Sequence, residues 1–222
     1  MKKIAVIPAR LGSQRLKKKN LKPLCGKPLI TRAIHKCIEA DCFDEIYVNS
    51  ESLVFKEIAE KEGVNFYHRA EHLGNNSATS EDFISDFLQN IDCSWVFQVH
   101  SIAPLLTAKE VESFVSFAEN SDYQSIFSCI EDQIEVAYMN SPVNFNFSQK
   151  TNSQDLKPVQ RITWSISGWK KESFLDAINK NKCATYNGKI GFFKVSPISG
   201  HVIKTKDDLK IAEAYASIGY KI

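Results

Sequence analysis

The chain has 222 residues, with 28 lysines and arginines against 26 aspartates and glutamates and 43% hydrophobic residues, which fits one domain able to bury its own core. A net charge of +2 and a pI near 8.1 are too mild for a general nucleic-acid binder. No apolar run approaches the roughly 20 residues that cross a bilayer, so neither nucleic acid nor membrane is an expected partner.

The run 4–7 (IAVI) is β-branched enough for a buried strand, and it feeds a loop holding Arg10, Gly12, Ser13, Arg15, Lys17, Lys18, Lys19 and Asn20. Five cationic side chains lie between residues 10 and 20. Such a loop at the carboxyl end of a first strand suits a polyphosphate such as a nucleoside triphosphate. Backbone N–H groups cradle phosphate while Arg and Lys neutralise it. The single Gly12 excludes both G-x-G-x-x-G and G-x-x-x-x-G-K-[ST]; a solvated basic turn is the alternative.

Gly26 and Lys27 read as a turn, and Pro28 suits the start of a helix running to about residue 40. Its apolar positions Leu29, Ile30, Ala33, Ile34, Cys37 and Ile38 keep the spacing of a face packed on a sheet. A strand at 45–49, a helix at 53–62 ended by Gly63, a strand at 64–67, a helix at 80–89, a strand at 94–99 and a helix at 107–119 follow. This alternation predicts a mainly parallel α/β sheet with helices on both faces, and ligands outside the carboxyl ends of its strands. Further strands are expected at 125–130 and 134–139. The segment 140–160, rich in Asn, Ser and Gln with alternating Phe145 and Phe147, reads as a hairpin-like excursion that covers the cleft or reaches a second subunit. A turn and short helix at 167–177 and strands at 190–195 and 201–203 precede a capping box, Thr205 and Asp208, on a final helix. The six cysteines include no C-x-x-C pair and fall mostly in apolar segments. With no signal peptide ahead of them, reduced core thiols in a cytoplasmic protein are expected. His68 to His72 spell H-x-x-E-H, a zinc-peptidase pattern that needs a helix. Here it follows a strand and precedes Gly74, Asn75 and Asn76, so a loop is expected, and His35 and His201 read as ordinary positions.

Several separated segments together resemble the cytidylyltransferases that activate acylneuraminate and 3-deoxy-manno-octulosonate. Ile7, Pro8, Ala9, Arg10, Gly12, Ser13, Lys19 and Asn20 match the opening I-P-A-R-x-G-S-K-x-x-x-x-K-N, with Gln14 in place of Lys. Ser13, Arg15 and Leu16 are similar to the S-x-R-L of the octulosonate branch. Gly26, Lys27, Pro28 and Leu29 match G-K-P-L, the segment 45–52 resembles V-V-S-T-D-S, and Ala103, Pro104 and Leu105 resemble the S-P-L of P-T-S-P-L-R. Arg69 and Ser80 fall in a stretch similar to the one that holds cytidine.

The resemblance implies a single Rossmann-like nucleotidyltransferase domain over 1–222 with a small protruding dimerisation arm at 138–169. It implies transfer of CMP from CTP to an acidic 2-keto sugar, a nonulosonate or octulosonate for surface polysaccharide, with release of pyrophosphate in a cytoplasmic homodimer. Arg10, Arg15 and Lys19 then neutralise the phosphates, Leu11, Gly12 and Ser13 lie in the CTP loop with N–H groups offered by Gly12 and Ser13, and Asn20 bonds triphosphate or sugar. Arg69, Ser80 and His100 recognise ribose or base, with Gln98 competing for the role of His100. Family members hold Mg²⁺ through the acidic pair of D-I-D-T-x-x-D. Here Val202 and Lys204 occupy both ligand positions. Three readings compete: Lys204 supplies the charge itself; metal rides on the triphosphate with support from Asp207 or Asp208, although Asp208 also reads as a helix cap; or the chain binds nucleotide or sugar as a catalytically altered or inactive relative.

Overall fold

The computed structural model describes residues 1–220. β1 (Lys3–Pro8) leads through a 3-10 turn (Lys19–Leu21) and a small ladder of β2 (Pro23–Leu24) with β3 (Lys27–Pro28) into α1 (Leu29–Ala40). The alternation continues through β4 (Glu45–Ser50), α2 (Val54–Lys61), β5 (Asn65–His68), α3 (Ser80–Asn90), β6 (Trp95–Val99) and α4 (Ala108–Glu119). β7 (Ser125–Asp132), a second small ladder of β8 (Ala137–Tyr138) with β9 (Ser141–Pro142), β10 (Val159–Lys170), α5 (Lys171–Asn179), β11 (Ile190–Lys194) and α6 (Lys206–Ser217) complete it.

Seven strands form the central sheet in the order β11-β7-β10-β6-β1-β4-β5. Only β10 runs antiparallel to its neighbours, so the sheet is mainly parallel, as the alternation predicts. From β1 the chain moves to β4 and β5 on one side and then returns to β6 on the other. The carboxyl ends of β1 and β6 therefore border a topological switch point, where a crevice opens.

Along β1, alternate side chains serve opposite faces. Ala5 and Ile7 join Phe97, Ile34, Phe55 and Phe114 under α1, α2 and α4, while Ile4 and Val6 join Phe87, Phe127, Trp169 and Phe174 under α3 and α5. Each such large side chain, fully buried, contributes about 1.5–3 kcal/mol. β10 lies so close to β6 that a Cβ on Gly168 would stand 2.8 Å from the Phe97 ring. Capping boxes start α3 (Thr79 with Asp82), α4 (Thr107 with Glu110) and α6 (Thr205 with Asp208).

The chain departs from the expectations chiefly after residue 130. The strand expected at 134–139 shrinks to β8, because Asn144 takes over the backbone there: its side chain accepts from the Val136 N–H and donates to the carbonyls of Ile134 and Lys157. Residues 159–169 of the expected arm lie in the central sheet, since β10 pairs with both β6 and β7, while residues 133–158 lie outside that sheet and hold the small β8–β9 ladder. Residues 167–170 are the end of that strand, with α5 following it. The strand expected at 201–203 makes no ladder; the Ile203 N–H donates to Ile102 O at 2.7 Å as a single tie. All six cysteines are free, and Cys37, Cys93 and Cys129 are buried, but Cys25 and Cys183 are exposed rather than in the core. Among the described residues no helix is long and apolar enough to cross a membrane.

Candidate active site

A cleft of about 330 Å³ occupies the switch-point crevice. β1 delivers Pro8, Ala9 and Arg10 to it, the following loop Ser13, Arg15, Lys19 and Asn20, the segment after β5 Arg69 and Ser80, and β6 with its exit Gln98, His100 and Ser101. Residues far apart in the chain thus meet because the parallel strands β6, β1, β4 and β5 end along one edge of the sheet.

Arg69 is the buried centre of one wall, at 3% exposure. Its Nη2 donates to Ala9 O at 2.9 Å and to Glu51 Oε2 at 3.0 Å, its Nη1 donates to Asn49 Oδ1 at 3.2 Å, and the Phe83 ring lies 4.9 Å from the guanidinium carbon. Burial lowers its pKa, and the Glu51 carboxylate offsets part of that. Among the described residues Nε–H has no partner. The other oxygen of Glu51 accepts the Leu11 N–H at 3.1 Å, so this carboxylate ties the opening loop to Arg69. Gly74 makes room for it: a Cβ there would lie 2.6 Å from the Glu51 side chain.

The opening loop forms the facing wall. Arg10 Nη1 donates to Asn75 O, the Asn20 amide donates to Arg10 O at 3.1 Å, and Ser101 Oγ donates to Asn20 Oδ1 at 2.8 Å. Asn20 therefore joins the loop to the exit of β6. Burial, reinforced by the positive charges of Arg15, Arg10 and Lys204, lowers the Lys19 pKa to about 8. Leu11 and Gly12 line a neighbouring surface groove rather than the cleft. The N–H groups of Leu11 and Ser13 are already engaged, by Glu51 and by Leu11 O, so Ser13 does not offer the free cradle N–H that was expected of it.

On the cleft floor the side-chain nitrogen of Gln98 stands 2.7 Å from His100 Nε2, so both candidates for the same position line the site. Burial, then the charge of Lys19, pushes the His100 pKa down to about 4, and the ring is neutral at pH 7. With the Gln98 amide donating to Nε2, the proton sits on Nδ1 and Oε1 of Gln98 is left buried without a partner. The His100 N–H donates to Ser165 O at a bulge of β10, beside Trp164 with its left-handed φ of 57°. Thr79 caps α3, and Ser80, its first residue, lines the cleft.

The segment from Val202 to Asp208 flanks the site without lining it. Val202 packs partly buried against the core, and Lys204 is exposed. Asp208 Oδ2 accepts from the N–H groups of Lys204 and Thr205 and from the Thr205 hydroxyl, and Asp207 pairs with Lys210. Although burial raises the Asp208 pKa, those bonds hold it below the ordinary value. Among the described residues no group of three or more His, Cys, Asp or Glu is arranged to hold a metal ion. His68 ends β5 and His72 sits in a 3-10 turn, so the H-x-x-E-H run is not one helix. The sequence reading missed Glu51, Ser101, Phe83 and the carbonyl of Asn75. Only Glu51 carried a signal, since it falls in the segment 45–52 similar to V-V-S-T-D-S.

Sheet order and cleft define an α/β protein with a Rossmann-like sheet and a cleft at its switch point. Residues 4–195 match the family model for cytidylyltransferases, and the chain belongs to that family. It is 30% identical over 190 residues to an N-acylneuraminate cytidylyltransferase of Streptococcus agalactiae serotype V, covering 79% of this chain and 45% of the relative. It is 29% identical over 195 residues to a pseudaminic acid cytidylyltransferase of Campylobacter jejuni, covering 79% of this chain and 83% of that one. Thus the chain spans just under half the length of the streptococcal relative it matches. Its fold is that of a CMP:2-keto-3-deoxy-manno-octonic acid synthetase complexed with CTP, with TM-score 0.74, 16% identity, and 98% and 99% of the two chains covered.

Proposed function

We propose that the chain transfers CMP from CTP to an acidic 2-keto sugar and releases pyrophosphate. The observation that carries this is the meeting, in one cleft, of Arg10, Arg15 and Lys19 with Arg69, Ser80, Gln98 and His100. In this reading the anomeric hydroxyl attacks the α-phosphorus and pyrophosphate leaves in line. The barrier falls by positioning and by neutralising phosphate charge. Arg10, Arg15 and Lys19 bind the triphosphate. Arg69, Ser80, Gln98 and neutral His100, which line the same cleft, take the nucleoside end of the ligand.

Mg²⁺ is the cofactor the family resemblance implies, and the donor set does not fit it. An isopropyl group and an ammonium stand at 202 and 204, Asp208 is spent on a helix cap and Asp207 on Lys210.

Homodimerisation through the segment 133–158 belongs to the same reading, supported by Tyr138, Met139 and Phe147 exposed at 71%, 80% and 72%. Light scattering then gives twice the chain mass of 25.1 kDa, and the single mass overturns it. Transfer is tested by pyrophosphate release with CTP, UTP and ATP against a panel of nonulosonic and octulosonic acids. CTP-selective release with at least one sugar acid is expected, and no release with any of them refutes the assignment.

A further inference from the structure

A nucleoside triphosphate carries roughly four negative charges at neutral pH, most of which must be balanced for it to stay bound. Arg10, Arg15 and Lys19 line the cleft. The bond from Ile203 N–H to Ile102 O, itself in the cleft wall, ties the segment that carries Lys204 to the edge of the cleft, and the Lys204 charge adds to those that lower the Lys19 pKa. Among the described residues none of these cations is ion-paired with a carboxylate. The acids around the cleft are already engaged: Glu51 by Arg69 and the Leu11 N–H, Asp208 by the α6 cap, Asp207 by Lys210. This surroundings is cationic enough to balance a triphosphate and too poor in free oxygen ligands to hold a divalent ion.

We propose that Lys204, together with Arg10, Arg15 and Lys19, takes the place of a protein-held divalent cation on the triphosphate, so that this chain binds CTP without metal. The inference rests on the cleft being a CTP site. A lysine ammonium is a point charge that binds phosphate without demanding coordination geometry. Its position at an exposed site just before α6 lets a flexible stem follow the ligand. The replacement also removes the like-charge conflict that an ammonium and a bound divalent ion would have at residue 204.

The test is CTP binding by calorimetry in the absence of sugar, in EDTA and in MgCl₂, for the wild type, Lys204→Ala and Lys204→Asp, with thermal unfolding as the check on folding. Wild-type affinity in EDTA is expected within about threefold of that in MgCl₂, and Lys204→Ala is expected to lose about tenfold in EDTA, the size of one charge-assisted contact. Lys204→Asp is expected to lose more in EDTA and to recover part of it with Mg²⁺. Wild-type CTP binding that requires Mg²⁺, or a Lys204→Ala protein that binds as tightly as wild type in EDTA, overturns the proposal while leaving the CTP site intact. Absence of CTP binding under every condition refutes the site assignment and the proposal with it.

Discussion

The two walls of the cleft handle positive charge in opposite ways. On the Arg69 wall a single guanidinium is buried, held by Ala9, Asn49 and Glu51 and packed on Phe83. On the loop wall the cations are half-buried or exposed, and none has a carboxylate partner among the described residues. A buried, paired charge is part of the fold, because removing one partner strands the other out of water. An unpaired charge near solvent is held at a cost and is available to a ligand. In the function proposed above, Arg69 organises the site for a nucleoside, while Arg10, Arg15 and Lys19 bind its phosphates.

The largest effect expected from this contrast is on stability. Arg69→Ala leaves the half-buried Glu51 without its partner and empties a buried site, and is expected to cost about 3 kcal/mol in urea unfolding. Glu51→Gln keeps an acceptor for the Leu11 N–H and costs less. A loss at Arg69 no larger than that of a surface arginine would erase the distinction between the walls.

Lys19→Met is expected to do the reverse: CTP binding weakens by about tenfold or more, as for loss of one charge-assisted contact, while the free protein becomes more stable. The sign follows from linkage. The Lys19 pKa lies near 8 in the fold against 10.5 when unfolded, so the unfolded chain binds more protons between those values. The charge therefore lowers the stability of the free protein below pH 8, and that penalty is relieved as pH rises through the window. CTP favours the ammonium, so its affinity is expected to fall as pH rises through about 8, with proton uptake on binding seen by calorimetry in buffers of different ionisation enthalpy. A pH-independent affinity across that window would remove Lys19 from the phosphate site. Arg15→Ala, an exposed change, is expected to weaken CTP binding several-fold with no change in unfolding.

The smallest effect sharpens the role of the segment before α6. Thr205→Ala removes one capping contact and is expected to cost about 1 kcal/mol. The response of CTP binding to Mg²⁺ should not move, as it would if Asp208 were a metal ligand rather than a cap.

Much of this molecule is written locally. The β-branched run at 4–7, the three-and-four spacing of α1 and the capping box at Thr205 and Asp208 are short-range signals, each decided by residues within a turn or two. They were enough for the alternation, the mainly parallel sheet and the basic loop at its carboxyl edge. β10 was not legible, because its alternation is interrupted by polar residues and by the bulge around Trp164, and its strand character comes from pairing with β6 and β7. The keying of Arg69 to Glu51, and of Asn20 to Ser101, needed the strand order. Those partners stand 18 and 81 residues apart in sequence, and only the parallel register brings their strand ends together. The same holds for Val202 and Lys204: their identities were plain from the start, but their place beside Ile102 and Lys19 depends on a long-range tie that no local pattern encodes.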